Sequence, residues 1–176
     1  ATGISGPWAA FFTATDAVSA NPTSNVARTQ MLSDAQTLVS RFRSLDSQLN
    51  SLENEVDVRL QGKVGDANQL ASEIARLNGD IITAGNNVSP DLLDARALKI
   101  EQLTSIVGGS TVEQDDGALN VFTGGGQALV LGNRPMTLST VQDPFQPDRM
   151  QLALQGSGGK VQLSASAVGG ELGGLL

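Results

Sequence analysis

The sequence predicts an α+β fold: a long heptad-patterned helix with shorter packing helices forming a rod, followed by a small antiparallel β-sheet of hairpins. Three observations predict it. Apolar residues recur at Leu38, Phe42, Leu45, Leu49, Leu52 and Val56, spaced four, three, four, three, four, the a/d seam by which one helix lies against another. After Gly108-Gly109, a pair that ends helices, the period changes to short runs of alternating apolar and polar residues. Gly and Pro clusters then punctuate the chain every few residues, as hairpins require.

The seam slips once. Val56, Leu60 and Val64 are spaced four and four, and the pattern resumes at Ala67, Leu70, Ile74, Leu77 and Ile81. An added four-residue step is a stutter, which locally unwinds a supercoil. Gly62 and Gly65 stand at the slip, each weakening a helix by about 1 kcal/mol relative to Ala. One helix from about Asn25 to Ala84 is expected, with a soft point near residues 60–66. Its length would be roughly 90 Å at about 1.5 Å per residue.

Before it, Gly6-Pro7-Trp8 opens a short helix, with Ser5 or Gly6 as cap and Pro7 in the first turn. Trp8, Phe11, Phe12, Thr15 and Val18 are expected to share its docking face. Asn21-Pro22 ends it, and Thr23 or Ser24 caps the long helix. The outer face of the long helix carries the charges, with Glu55–Arg59 and Arg76–Asp80 four apart and able to pair. Glu53, Glu55 and Asp57 are two apart, so they point to different sides of a helix and form a solvated face, not a metal cluster.

Ala84-Gly85-Asn86-Asn87 breaks the helix, and Ser89-Pro90-Asp91 starts another. Leu92, Leu93, Arg96, Ile100, Leu103, Ile106 and Val107 give that helix its stripe. Strands are expected at 111–115, 118–122, 127–131, 136–141, 150–155 and 160–165. Asp116-Gly117 is the first hairpin turn, because both residues tolerate positive φ. Gly124-Gly125-Gly126 lacks the Lys-Ser or Lys-Thr of a phosphate loop and reads as a turn. Pro144 and Pro147 mark a loop, and Gly156-Ser157-Gly158-Gly159 a hairpin turn. Three stretches result. Residues 1–109 form a helical rod, residues 110–168 an antiparallel β region of the same domain, and residues 169–176 the start of a truncated element.

Composition narrows the function classes. The net charge of −7 over 176 residues argues against nucleic acid and anionic membrane surfaces as partners. There is no Cys and no His, which removes thiol chemistry, imidazole acid–base catalysis and most zinc sites. No catalytic residue, cofactor site or metal site is expected, and the chain does not read as an enzyme. The first residues lack the basic start and apolar stretch of a signal peptide.

Several runs resemble the flagellar hook-associated protein 1 family. The most specific is Thr111–Gly132, with Val112-Glu113-Gln114-Asp115-Asp116-Gly117 at its head. Asn21-Pro22, then Ala27-Arg28 and Ala35-Gln36, resemble the family's approach to its long helix. Leu92-Leu93-Asp94-Ala95-Arg96 resembles its Leu-Leu-Asp-x-Arg segment, and Gly169–Leu176 the glycine-rich lead into its next helix. Ala97 departs from the polar or acidic residue expected there.

The resemblance implies an internal piece of an axial protein, exported unfolded through the flagellar type III secretion system to an extracellular site. It implies self-assembly between the hook protein and a second junction protein, and an export chaperone that binds outside this chain. The isolated piece is expected to be a monomer with an exposed apolar stripe on its long helix. The alternatives are a coiled-coil trimeric adhesin or phage-fibre segment, or another axial protein such as hook protein or flagellin. A carboxylate hydrolase is a third reading, which the spacing of the acids does not support.

Overall fold

The computed structural model describes residues 3–146, 149–156 and 159–176. Its elements are helices α1 (Ser5–Ala20), α2 (Asn25–Ala84) and α3 (Pro90–Val107), strands β1 (Gly109–Glu113), β2 (Leu119–Thr123), β3 (Ala128–Leu131), β4 (Arg134–Pro135), β5 (Thr137–Gln142), β6 (Met150–Gly156) and β7 (Gly159–Leu163), and a last short helix α4 (Gly170–Leu175). Contacts divide the chain into two compact units, Ala1–Glu55 and Val56–Leu176. The division therefore falls within α2, while the change from helix to strand falls at residue 109.

The first unit is an αα-hairpin. Ser24 caps α2, its Oγ accepting from the Ala27 N–H at 3.2 Å. Helix α1 starts earlier than expected: Ser5 lies inside it, and the residue at its cap position, Ile4, provides no side-chain bond. Its shielded face is rotated as well. Ala14 is buried and Pro7, Phe11, Thr15 and Val18 are half-buried, whereas Trp8 and Phe12 stand half in water with their ring centroids 5.3 Å apart. The docking face assigned to Trp8 and Phe12 is thus corrected. The 3.6-residue period lets only one stripe of a short helix face its partner.

In the second unit, α2 and α3 enclose a core with two sheets. The fold class stands, but the strands form two sheets instead of one: β1-β2-β3-β4 and β5-β6-β7, all pairs antiparallel. Strand β4, two residues long, lies outside the expected strands; its Pro135 suits an edge. The stretch expected as strand to residue 165 turns at Ala165–Ala167 into a 3-10 segment. Pro147, and Ser157-Gly158 of the second predicted turn, lie outside the described residues. Leu60, Ile74, Leu103, Leu129, Leu152 and Leu172 are the largest fully buried apolar side chains, each contributing about 1.5–3 kcal/mol by leaving water. The second half of the seam is therefore covered by sheets and α3, not by a second long helix.

Two asparagines of α2 hold the sheets in register. The Asn68 side chain donates to Leu138 O at 2.9 Å and accepts from Leu138 N at 2.8 Å, closing on β5 as a neighbouring strand would. Asn78, fully buried, does the same to Leu119 of β2, at 2.8 and 3.1 Å, and donates also to Gly132 O at 2.7 Å. Its Oδ1 accepts from Arg96 Nη1 at 3.0 Å, and the same nitrogen donates to Gly117 O at 2.7 Å. Burial lowers the Arg96 pKa and the Glu113 charge opposes that shift.

Glycines make the chain crossing at the end of α3. Gly108 has φ +55, and a Cβ there would meet Gly169 Cα at 2.7 Å. A Cβ on Gly109 would meet Phe122 O at 1.9 Å. Gly169 N–H donates to Val107 O and Gly125 N–H to Ala167 O, both at 2.8 Å. Gly62 and Gly65 meet nothing within 4 Å, and α2 is assigned as helix without interruption through both.

Asn78→Ala leaves four bonded partners without their mate, three of them backbone groups. We expect a loss of about 3 kcal/mol or more in urea unfolding, against a change within about 0.5 kcal/mol for the exposed Asn54→Ala. Gly65→Ala should raise the stability by up to about 1 kcal/mol, whereas Gly109→Ala should lower it sharply, both read from the same denaturation curves.

Candidate assembly surface

The residues of the predicted seam divide by cover. In the first unit Leu38 is buried and Leu45 half-buried, while Phe42 is half-exposed and Leu49 and Leu52 are 60% and 58% exposed. In the second unit Val56 is 39% exposed, Leu60, Val64, Ile74, Leu77 and Ile81 are buried, and Leu70 is half-buried. The cause in the first unit is length. Helix α1 has 16 residues, about 24 Å at about 1.5 Å per residue. Folded back from residue 24, it runs out near residue 41. Half-buried Leu45 and exposed Leu49 and Leu52 continue the α2 face that carries Ala27, Met31 and Leu38, past the length that α1 can reach.

The other candidates have local explanations. Glu53 and Glu55 are exposed on α2. Asp116 Oδ1 accepts from Ala118 N at 3.0 Å, a turn bond. The Asp116-Gly117 turn is wider than two residues: Glu113 pairs with Leu119, Gly117 N–H donates to Gln114 O at 2.9 Å, and only Gly117 has positive φ, +84. Asp116 keeps a negative φ, and its carboxylate adds a bond to the backbone closure of the loop.

An open cleft of about 480 Å³ lies among Arg59, Gly62, Lys63, Asp66, Glu171, Gly174 and Leu175. Lys63 is bonded there to Glu171 at 2.8 Å, and that bond raises its pKa. A lysine held protonated is an ion-pair member and a poor nucleophile. Lys99 and Glu73 tie α3 to α2 at 2.8 Å, and the Lys99 hydrogen bond lowers the Glu73 pKa. Among the described residues no three His, Cys, Asp or Glu are grouped to hold a metal. No described helix is long and apolar enough to cross a membrane.

Sequence reasoning missed Asn68 and Asn78. Arg96 was the available signal. A cation within the apolar stripe of α3 must find acceptors, and Asn78 and the Gly117 carbonyl are those acceptors.

Polar side chains bonded to backbone inside, and an apolar helix stripe left open outside, define a scaffold that acts through contacts. The chain belongs to a flagellar hook-associated family: the description "flagellar hook-associated protein FlgK helical domain" matches residues 1–176. It is 31% identical over 98% of its length to flagellar hook-associated protein 1 of Salmonella typhimurium, and 30% identical over 94% to that of Escherichia coli. The structure of the flagellar hook junction protein FlgK from Burkholderia pseudomallei superposes with a TM-score of 0.88 at 34% identity, over 98% of this chain. The chain spans 32% of the Salmonella relative, 31% of the Escherichia coli relative and 32% of the solved one.

The open stripe should contribute nothing to the fold of these residues. Leu49→Ser with Leu52→Ser is expected to shift unfolding by no more than about 0.5 kcal/mol, whereas Leu60→Ala should cost about 2–5 kcal/mol. Both are read by chemical denaturation.

Proposed function

We propose that the protein is a structural component of the bacterial flagellum at the hook–filament junction, working by self-assembly into a ring or tube of subunits. The observation that carries this reading is the exposed apolar pair Leu49 and Leu52 on α2, which continues a packed seam beyond the end of its cover. A seam of that kind commits the helix to a partner. Each leucine newly buried is worth about 1.5–3 kcal/mol, and repetition round a ring multiplies modest contacts into a stable polymer. The family membership and the likeness to a flagellar hook junction protein support the same place in the assembly.

On this reading the neighbours are the hook protein on one side and a second junction protein on the other. The full-length protein leaves the cell through the flagellar type III secretion system and works outside it. Its export chaperone binds outside residues 1–176. No step of bond making or breaking is required of it. The carboxylates and lysines of the described surface serve solubility and contact.

The test is made in cells that lack their own copy. Full-length protein carrying a small epitope is expected at the hook–filament boundary by immunogold microscopy, with filaments and swimming restored. Full-length protein with Leu49→Ser and Leu52→Ser is expected in the culture medium, exported but not retained, with few filaments. Label along the whole filament would make the protein a filament subunit and overturn the reading. Residues 1–176 forming a trimer that persists on dilution in light scattering would favour a self-sufficient fibre instead.

A further inference from the structure

Among the described residues, β1 and β7 are exposed edge strands of the Val56–Leu176 unit, and their backbone polarity follows from the pairing. All five residues of β1 are exposed, as are Gly159 to Gln162 of β7. Each strand has one partner, β2 and β6 respectively. In an antiparallel ladder, pairs that exchange hydrogen bonds alternate with pairs that do not. Leu119 bonds Asn78 with both its N–H and its C=O, so it does not bond Glu113 opposite it. Gln114 N–H donating to Ala118 O at 2.8 Å fixes the same phase. Glu113, Thr111 and Gly109 therefore turn their N–H and C=O groups out of the sheet.

The second sheet yields to the same reasoning. Leu138 bonds Asn68 with both backbone groups, so its pair with Leu154 exchanges none. Leu154 must then bond Val161, its partner on β7. Lys160 and Gln162 are left with their N–H and C=O groups pointing outward.

We propose that β1 of one copy pairs antiparallel with β7 of a second copy, with Glu113 opposite Lys160, Val112 opposite Val161 and Thr111 opposite Gln162. This deepens the assembly reading above and rests on it. In this register every outward backbone group meets an outward group. A slip of one residue sets outward groups against inward ones, and a slip of two separates the charges. The side chains agree with the backbone: a carboxylate meets an ammonium, two valines that are 49% and 55% exposed cover each other, and two polar residues complete the pairing. A lysine on an edge strand ordinarily guards against chance pairing; a glutamate placed opposite turns the guard into a selector. The net charge of −7 makes copies repel on average, so a local opposite-charge pair favours this approach over others. Two different edges joining head to tail propagate, giving a ring where the rotation closes.

Residues 1–176 contain no cysteine, which permits a cross-linking test in full-length protein, with any cysteine elsewhere changed to serine. Val112→Cys and Val161→Cys chains are co-expressed in cells lacking the native copy, and isolated flagella are oxidised. A non-bonded antiparallel pair has Cα atoms about 4.5 Å apart, within the range of a disulfide. The expected result is a linked dimer only when both chains are present, and a ladder of multimers from the double variant. Incorporation into flagella with no more dimer than a Val112→Cys and Phe145→Cys mixture overturns the pairing and leaves the junction reading intact, as does a disulfide closed within one monomer. Wild-type full-length protein absent from flagella overturns the junction reading itself. As a second measurement, Glu113→Lys and Lys160→Glu are each expected to lower incorporation, and their combination in one chain to restore it. Failure of the combination to restore it, with circular dichroism showing a folded chain, also counts against the pairing.

Discussion

A carboxamide carries an N–H and a C=O in nearly the geometry of a peptide group, and the sheet-bearing unit depends on two of them. Asn68 and Asn78 each bond the N–H and the C=O of one residue, Leu138 and Leu119, so that α2 acts on each sheet as a neighbouring strand would. Hydrophobic burial drives the sheets onto the helix but is indifferent to a small slide along it. Hydrogen bonds are not indifferent, because a slide leaves buried amides and carbonyls unpaired. Arg96 adds a second lock, joining Asn78 to the Gly117 carbonyl in the first hairpin loop.

The glycine crossing at the end of α3 is the complementary constraint. Where the asparagines set register, Gly108, Gly109 and Gly170 set distance: three backbones pass so closely that a Cβ on any of these glycines would collide with main-chain atoms. The bonds from Gly169 to Val107 and from Gly125 to Ala167 fasten the helix end, the second hairpin and the approach to α4 to one another. Because no side chain stands between them, the crossing does not yield as a packed interface of flexible side chains would.

The long helix serves two units by one repeating pattern. Leu38 lies before the slip of the seam and Leu60 within it, and both are buried, the first in the Ala1–Glu55 unit, the second in the core with the sheets. Between them Phe42, Leu49, Leu52 and Val56 keep the pattern and are exposed, while Leu45 is half-buried. Periodicity states which face of a helix is apolar; it does not state what covers that face.

The helix and its bounds, the apolar stripe, the cap at Ser89 with its bond to the Leu92 N–H, and the Arg76–Asp80 ion pair were legible because each is local. Helix period, capping and i,i+4 pairing act within a few residues, so the order of residues alone decides them. Division of the strands into two sheets, the wider loop at Asp116-Gly117 and the placing of Trp8 outside the packed face were not legible. Neither were the roles of Asn68 and Asn78, whose backbone partners lie 70 and 41 residues away. An asparagine looks the same in sequence whether it faces water or a strand. Only the tertiary structure brings Leu119 and Leu138 to α2, and the free energy of burying a polar group then makes those two side chains indispensable.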